Sequence, residues 1–458
     1  MRPDESERDP DTHLAALGNG VRVVVIRVPH LESASVSVFV RAGSGHESRR
    51  LSGISHFVEH MAFKGTEGRS CQQINLDAER LGADVNAHTD KDHTGYHMRG
   101  LARDAARFIE MLGDIVLHGT FPAEELERER QVLLQEFLED DEDPMAAANR
   151  LFDKLSFGEH ALAQSVIGLR GNLRRFDRED LLGWVGEHYS GANIVVGVAG
   201  PVDPEAMVRA AESAFGELRA GAVNRVEPPV WVGGTAARAL AGSGQSHIVL
   251  GLPIAPLVHQ GHAAGQLAAA LFGEGMSSPL LDEIRERRGL AYYVSCSADV
   301  TALAGQFVVE ASTAPEHALE FLAETRRLLA RQAEAIDAVD LERARNQQAV
   351  RRLRDREHAA RRLEDAALDV LAFDRVRSAA EVAALAAAVD GEAVRAAFAE
   401  MLRAPAAVAL AGKVGKGVPE RMRELFGTPA SRRKAPGGPN PEVAELRKRR
   451  RSARAARR

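Results

Sequence analysis

The sequence predicts an α+β protein built from two copies of one unit, each a mainly antiparallel sheet packed against helices. Runs that alternate apolar and polar residues, such as Ser35 to Arg41, are typical of half-buried strands. The order of a strand, a helix, a strand pair and two long helices occurs twice, about 210 residues apart, which indicates a duplication. A connection containing Gly and Pro, at about residues 220–234, divides the two copies. We therefore expect domains at 14–218 and 235–427, followed by a tail at 429–458.

In the first copy, an apolar strand follows the turn residues Gly18-Asn19-Gly20, and we expect it to pair as a hairpin with the alternating strand that follows Pro29. Pro122 suits the first turn of a helix, because its missing N–H has no partner there. The elements expected in this copy are strands at 21–28 and 35–41, a helix at 53–63, strands at 84–89 and 94–99, and helices at 103–117 and 122–142.

The second copy repeats this order with its own residues. We expect a strand at 247–252, a helix at 263–272, strands at 292–299 and 306–312, and helices at 315–331 and 340–354. From Pro429 onward the composition is biased and rich in charge, so we expect this tail to be disordered, with at most one short helix.

The composition excludes several classes of protein. Apolar residues make up 45% of the 458 residues, which is enough for a sizeable core and too many for a disordered chain. No apolar stretch is long enough for a membrane-spanning helix. The N-terminus is polar and acidic, unlike a secretory signal, and Cys71 and Cys296 match no metal-binding spacing. We therefore expect a soluble cytoplasmic protein with reduced cysteines and no membrane partner.

Charge is distributed unevenly along the chain. The whole sequence has 59 Lys and Arg against 65 Asp and Glu, a net charge of −6. Residues 431–458 contain eleven Lys or Arg and two Glu, so this part carries +9 and the remainder carries −15. A basic tail suits a polyanion, but blocks of like charge are more often simply solvated, and this one lacks aromatic residues for base stacking. We therefore expect no nucleic-acid partner.

The strongest chemical signal is His56-Phe-Val-Glu-His60 on the first predicted helix. Residues four apart lie on one face of a helix, so the two imidazoles can share one small cation, and imidazole suits zinc. Glu59 can act on a water at that metal without itself being a ligand. This order of residues is the inverted-zincin motif, in which the Glu serves as general base. An ordinary amphipathic helix with two incidental histidines is the alternative.

A catalytic zinc needs a third protein ligand. The helix after Pro122 offers several glutamates, most of which we expect to be solvated. Glu136 differs because apolar residues surround it, and a buried carboxylate is costly unless it is paired or bound to a metal. Spacing alone favours Glu136 only weakly over its neighbours, which are Glu124, Glu125, Glu127, Glu129 and Glu139.

The run GISHFVEHMAFKGT, from Gly53 to Thr66, resembles the pitrilysin/insulinase family of inverted-zincin metallopeptidases, and within it the mitochondrial-processing-peptidase-like branch. The resemblance covers about residues 14–427 and implies two duplicated α/β-roll domains of the processing-peptidase/LuxS-like metallohydrolase fold. In that family the third ligand is a Glu about 76 residues after the second His, within E-R-E-x(6)-E. Glu136 and Glu129 occupy the last and the third positions of this pattern. The resemblance thus implies one Zn²⁺ per chain, with Glu136 as a ligand and Glu129 supporting the catalytic site.

The same resemblance implies a binding site for a peptide substrate. Asn86 and Ala87 match the family's N-A-x-T segment, an edge strand that pairs with the substrate backbone, while His88 stands where an aromatic residue is common. The second copy has no H-x-x-E-H. Instead, Arg285 and Tyr292 match the family's Arg and Tyr, seven residues apart, which contact the substrate near the scissile carbonyl.

Family members of this length form one half of a clamshell, and two chains enclose a chamber for short or unfolded peptides. Because this chain carries both residue sets, the resemblance predicts a homodimer in which Arg285 and Tyr292 act on the partner's zinc site. A heterodimer with a paralogue is the alternative, since some bacterial relatives divide the two sets between subunits. Two rival functions remain: a catalytically silent partner subunit, and a binding module that uses the tail.

Overall fold

The computed structural model describes residues 9–427, and the predicted tail at 429–458 lies outside them. Within this range the chain forms two sheets, each packed against helices, which confirms the predicted fold class. The strands are β1 (Thr12–Ala16), β2 (Arg22–Arg27), β3 (Ser33–Val40), β4 (Asp84–Thr89), β5 (Thr94–Leu101), β6 (Ile194–Gly200), β7 (Gly234–Ala239), β8 (Ser246–Ile254), β9 (Ala291–Val300), β10 (Gly305–Thr313) and β11 (Ala407–Gly412).

The helices confirm each predicted helix to within three residues at either end. They are α1 (Ile54–Ala62), α2 (Cys71–Arg80), α3 (Ala105–Leu117), α4 (Ala123–Glu142), α5 (Pro144–Phe157), α6 (Arg170–Arg175), α7 (Arg178–His188), α8 (Pro204–Phe215), α9 (His262–Gly273), α10 (Pro279–Leu281), α11 (Ala318–Glu334), α12 (Ala338–Glu357), α13 (Ala359–Phe373), α14 (Ala379–Ala387), α15 (Gly391–Met401) and α16 (Val418–Phe426). A π-helix, Asp282–Arg287, continues α10.

The first sheet has the strand order β1-β2-β6-β3-β5-β4, which corrects the predicted hairpin. Strands β2 and β3 do not pair, because β6 lies between them, parallel to β2 and antiparallel to β3. The turn at Gly18-Asn19-Gly20 instead joins β2 to β1 as an antiparallel pair. Strand β4 lies at one edge of the sheet and pairs with β5.

The second sheet has the order β7-β11-β8-β10-β9 and the same general plan. One parallel pair, β11 with β7, lies beside antiparallel pairs, as β2 with β6 does in the first sheet. Strand β9 is the edge strand that corresponds to β4. One apolar core lies between the first sheet and helices that include α1, α3 and α8, and another lies between the second sheet and α9, α11 and α15.

The opposite face of each sheet is covered by a helix from the other half of the chain. Helix α13 packs through Leu363 and Val370 on β2, β3 and β6, and α5 packs through Phe152 on β8 and β11. Two glycines allow this close approach. A Cβ on Gly197 would lie 2.5 Å from Leu363 Cδ1, and one on Gly251 would lie 2.5 Å from Phe152 Cε2. The central strands are therefore buried on both faces. Strands β2, β6, β8 and β11 are accordingly mostly apolar, whereas β3 keeps serines on the face that α13 covers.

The domain limits at 14–218 and 235–427 stay a prediction. Strand β1 begins at Thr12, and residues 217–233 form neither helix nor strand. Because α5 and α13 each pack on the sheet of the other half, the packing does not separate at the connection between the halves. None of the helices between residues 9 and 427 is both long and apolar enough to cross a membrane.

Candidate metal centre

Helix α1 carries two histidines on the face that it turns away from the core. Phe57 and Met61 are fully buried on the other face, while the His56 and His60 rings lie with their centroids 4.7 Å apart. The helix begins after Gly53, whose φ of 99° is in the left-handed region. The buried carboxylate of Glu47 accepts hydrogen bonds from the N–H groups of Gly53 (2.7 Å) and Ser55 (2.8 Å) and so holds this end of the helix in place.

Helix α4 brings Glu136 to the two histidines. Glu136 Oε2 lies 3.8 Å from His56 Nε2 and 3.6 Å from His60 Nε2, and one donor atom from each of the three residues lies within 4.8 Å of the others. Two ligands at about 2.1 Å from a tetrahedral zinc would be about 3.4 Å apart. Two imidazole nitrogens and one carboxylate oxygen are a donor set that zinc accepts in catalytic sites. These three residues therefore fit a zinc ion, and among residues 9–427 they form the one such cluster of His, Cys, Asp and Glu.

The two histidines differ in their electrostatic surroundings. Burial, together with the neighbouring His60, lowers the pKa of His56 to about 4, so this imidazole is neutral at pH 7. Burial also acts to lower the pKa of His60, but the hydrogen bond with Glu129 and the charges of Glu136 and Glu59 outweigh it and raise that pKa overall. A metal binds the neutral imidazole, so binding competes with a proton mainly at His60.

Glu129 lies one layer outside the three candidate ligands. Its Oε2 accepts a hydrogen bond from His60 Nδ1 (3.0 Å), and its Oε1 lies 2.7 Å from Lys64 Nζ. With Nδ1 donating, the lone pair of His60 Nε2 faces Glu136 and is available to a metal. Burial acts to raise the pKa of Glu129, but the contacts with His60 and Lys64 lower it overall, so the carboxylate stays charged. Lys64 is a partner that the sequence reasoning missed, although it lies within the GISHFVEHMAFKGT run.

Glu59 lies on α1 next to His60 and is not one of the three converging residues. Burial raises its pKa, while a hydrogen bond from Thr89 and the nearby His60 oppose that rise. Thr89 Oγ1 donates to Glu59 Oε2 at 2.5 Å. Thr89 is the last residue of the N-A-x-T segment, but the sequence did not reveal its contact with Glu59, because the two residues are 30 positions apart.

Asn86 and Ala87 lie on the edge strand β4, opposite His97 and Tyr96 of β5. Asn86 is exposed, and its Oδ1 accepts a hydrogen bond from the Ala87 N–H (2.9 Å). Because β4 pairs on one side alone within the described sheet, its other side offers backbone N–H and C=O groups. An edge of this kind can in principle pair with an extended peptide.

His88, on the same strand, belongs to a chain of hydrogen-bonded imidazoles that the sequence did not reveal. Ser37 Oγ lies 2.7 Å from His97 Nδ1, His97 Nε2 lies 2.9 Å from His88 Nδ1, and His88 Nε2 lies 3.2 Å from His93 Nε2. The chain ends at Asp92, whose Oδ1 is 2.7 Å from His93 Nδ1. If each group donates toward Asp92, all three imidazoles are neutral and every nitrogen is satisfied. The ring of His88 is stacked on that of His97 with a centroid separation of 4.9 Å, so His88 is a packed residue of this strand.

Arg285 and Tyr292 lie together in the second half of the chain. The Arg285 guanidinium carbon is 5.5 Å from the Tyr292 ring centroid, and 85% of Tyr292 is exposed. Arg285 also lies near Glu286 and Met276. Among the described contacts, neither residue shares a hydrogen bond, an ion pair or a ring contact with the His56 cluster. The structure therefore brings His56, Glu59, His60, Glu129 and Glu136 together and leaves Arg285 and Tyr292 as a separate pair.

Comparison with known proteins agrees with this geometry. Residues 22–169 match the family described as Insulinase (Peptidase family M16), and residues 175–348 match the Peptidase M16 inactive domain. An uncharacterized zinc protease of Rickettsia felis is 30% identical over 366 residues, which cover 79% of this chain and 88% of the relative.

Solved structures show the same fold. A protease from Helicobacter pylori aligns with a TM-score of 0.82 at 20% identity, covering 88% of this chain and all of that one. A peptidase M16 inactive domain from Pseudomonas fluorescens aligns with a TM-score of 0.81 at 20% identity, covering 88% of this chain and 99% of the other. Because two models of this family match most of the chain, and because a relative is similar over 79% of it, this chain belongs to the insulinase family of peptidases, family M16.

Proposed function

We propose that this protein is a zinc-dependent endopeptidase that cleaves short or unfolded peptides or leader segments. The observation that carries the proposal is the convergence of His56, His60 and Glu136, with Glu59 beside them on the same helix. Several relatives are named as zinc proteases, which supports the choice of metal.

His56, His60 and Glu136 would hold one zinc ion per chain. When bound, zinc supplies Lewis acidity, which polarises the scissile carbonyl and makes water easier to deprotonate. Glu59 takes a proton from the attacking water and later delivers it to the leaving amine. Its raised pKa suits this exchange, because a carboxylate that is too acidic holds a proton poorly. Glu129 keeps His60 Nδ1 as the donor and so keeps Nε2 available for the metal.

The substrate would bind as an added strand beside β4. Backbone hydrogen bonds with Asn86, Ala87 and their neighbours bind a peptide without reading its side chains, so varied sequences are accepted. A folded protein cannot offer an extended strand at this edge, which restricts substrates to short or unfolded chains. Leader-peptide maturation and peptide scavenging both fit this mode of binding.

Arg285 and Tyr292 would act on the site of a partner subunit. They are an exposed pair of hydrogen-bond donors, separate from the zinc cluster of their own chain. A carbonyl oxygen that gains negative charge in the transition state is stabilised by such donors. One chain carries both sets, which favours a homodimer with two sites, and a heterodimer with a paralogue is the alternative.

A catalytically silent subunit of a heterodimeric processing peptidase is the second candidate. The second half of the chain lacks H-x-x-E-H and matches a domain described as inactive. Against this candidate, the first half has all four residues that the chemistry needs, His56, Glu59, His60 and Glu136.

The test combines metal analysis with cleavage of a quenched fluorescent peptide. We expect about one zinc per wild-type chain, and a Glu59→Gln variant that retains the zinc but loses cleavage by at least about 100-fold. Glu67→Gln, at an exposed position just after α1, is the matched control and should cleave normally. Absence of zinc from the wild type, or cleavage by Glu59→Gln at the wild-type rate, contradicts the proposed peptidase function. A wild type that cleaves only after a paralogue is added favours the heterodimer.

The proposed trans arrangement has its own test. Tyr292→Phe and Glu59→Gln chains are each expected to be weakly active alone. Mixed dimers would contain one site with an intact Glu59 and an intact Tyr292, so random mixing should restore about a quarter of the wild-type sites. No recovery in dimers that are verified as mixed contradicts the arrangement.

A further inference from the structure

The side chain of Thr89 makes a short contact with Glu59. Its hydroxyl donates to Glu59 Oε2 at 2.5 Å, which is the length of a strong hydrogen bond to a charged carboxylate. Thr89 is the last residue of β4, the edge strand of the first sheet. A side-chain hydrogen bond thus links the edge strand to the helix that carries the two candidate metal-binding histidines.

The pleat of β4 places Thr89 and its neighbour on opposite faces of the sheet. His88 points toward His97 and Ser37, on the face where Phe39 packs. Thr89 therefore points to the other face, where α1 lies, as its contact with Glu59 shows. Because side chains alternate along a strand, a shift of β4 by one residue would remove this contact altogether.

We infer that Thr89 is a positioning residue for Glu59: it occupies one carboxylate oxygen and thereby aims the other at the reacting water. This inference rests on the proposed peptidase function. The final torsion of a Glu side chain is broad, so an unrestrained carboxylate samples many orientations. With Oε2 held by Thr89, Oε1 is the oxygen left to take the proton. Proton transfer needs hydrogen-bond contact, so this orientation affects the rate of the chemical step.

The position of Thr89 also links the base to the substrate edge. Strand β4, whose Thr89 bonds to Glu59, is the strand beside which we propose that the peptide binds. Asn86 and Ala87 would bind the peptide through their backbone, whereas Thr89 acts through its hydroxyl on Glu59. Loss of the hydroxyl should therefore lower kcat and leave KM unchanged, because no contact with the peptide is removed.

The decisive comparison is between Thr89→Val, Thr89→Ser and the wild type, all zinc-loaded. Val keeps the branched shape and lacks the hydroxyl, whereas Ser keeps the hydroxyl and lacks the methyl group. We expect Thr89→Val to lose about 10- to 100-fold in kcat, with KM and zinc content unchanged. Thr89→Ser should restore kcat to within about threefold of the wild type. Thr89→Ala lacks the hydroxyl too and gives a second reading if the Val variant folds poorly.

Thr66→Val is the matched control. Thr66 Oγ1 also donates to a carboxylate, Asp114 Oδ2 at 2.8 Å, but not to Glu59, so its loss should leave kcat of the folded protein unchanged. Wild-type kcat in Thr89→Val, a change confined to KM, or equal losses in the Val and Ser variants would overturn the inference. Glu59→Gln is measured in parallel. If that variant still cleaves, the peptidase function itself fails, whereas an inactive Glu59→Gln beside a fully active Thr89→Val refutes only the role of Thr89.

Discussion

Replacing Glu129 by Gln tests how far the residues around the metal centre determine zinc affinity. The Glu129 carboxylate makes two contacts, with His60 Nδ1 at 3.0 Å and with Lys64 Nζ at 2.7 Å. An amide has one acceptor oxygen, so it can replace one of these contacts but not both. Whichever contact is kept, the amide NH₂ group then faces either the Lys64 ammonium or the His60 N–H. We therefore expect His60 to lose its fixed orientation.

Loss of a partner that orients a metal-bound histidine typically weakens metal binding by about 10- to 100-fold, or about 1.4 to 2.8 kcal/mol. The assay is zinc competition against a chromophoric chelator at pH 7.5, starting from metal-free protein. Glu127→Gln is the control, because Glu127 is exposed on the same helix and pairs with Arg130. An additional Lys64→Met change removes the ammonium, so the amide can accept from His60 and part of the affinity should return.

Equal dissociation constants for Glu129→Gln and the wild type would refute this reasoning. So would an equal loss in Glu127→Gln, since a general effect of removing a negative charge from α4 would then explain both results. Failure of Lys64→Met to restore any affinity would show that the amide does not accept from His60, even without the ammonium beside it.

Three further predictions concern stability and the tail. Gly251→Ala places a Cβ 2.5 Å from the Phe152 ring, so we expect urea unfolding to show that the free energy of unfolding falls by about 1–3 kcal/mol. Gly183 lies in α7 with open space around it, so Gly183→Ala should raise the free energy of unfolding by up to about 1 kcal/mol. Equal effects of the two changes would contradict the packing argument. Burial and the neighbouring His188 lower the pKa of His46 to about 4. Between pH 6.5 and about 4 the unfolded chain therefore binds more protons than the folded one. The free energy of unfolding should fall by up to roughly 3 kcal/mol as the pH falls through that range. The urea midpoint at pH 7.5 and pH 5 measures this loss, and His46→Gln should make it smaller. Deleting residues 429–458 should leave peptide turnover unchanged, and a loss of turnover would favour the binding module that uses the tail.

The sequence predicted best those features that depend on residues close together in the chain. His56 and His60 are four residues apart on one helix, so their convergence follows from helix geometry alone. Glu136 is different, because residue spacing favoured it only weakly among the glutamates of α4. Its selection came from the resemblance to a family, and the structure places it within 3.6 to 3.8 Å of both histidines.

Long-range pairing explains what the sequence did not predict. The proposed hairpin of β2 and β3 was wrong because β6, more than 150 residues further along the chain, inserts between them. The contacts of Glu47 with the start of α1 and of Thr89 with Glu59 also join separate segments. An apolar helix face indicates burial, yet it does not identify the sheet that covers it. The packing of α5 and α13 on the opposite halves was therefore invisible in the sequence.

The packing of α5 gives the second half of the chain a part in the metal centre even though that half has no H-x-x-E-H. Helix α4, which carries Glu136, ends at Glu142, and Asp143 then caps α5 with Pro144 in its first turn, so little slack separates the two helices. Helix α5 is held on the second sheet by Phe152, and Arg238 of β7 binds Asp141 near the end of α4 at 2.8 Å. The first sheet, through α1, fixes the two histidines, while the second sheet, through α5 and Arg238, fixes the far end of the helix that carries Glu136. The second half of the chain, which lacks H-x-x-E-H, thus helps to position Glu136 of the candidate metal centre in the first half.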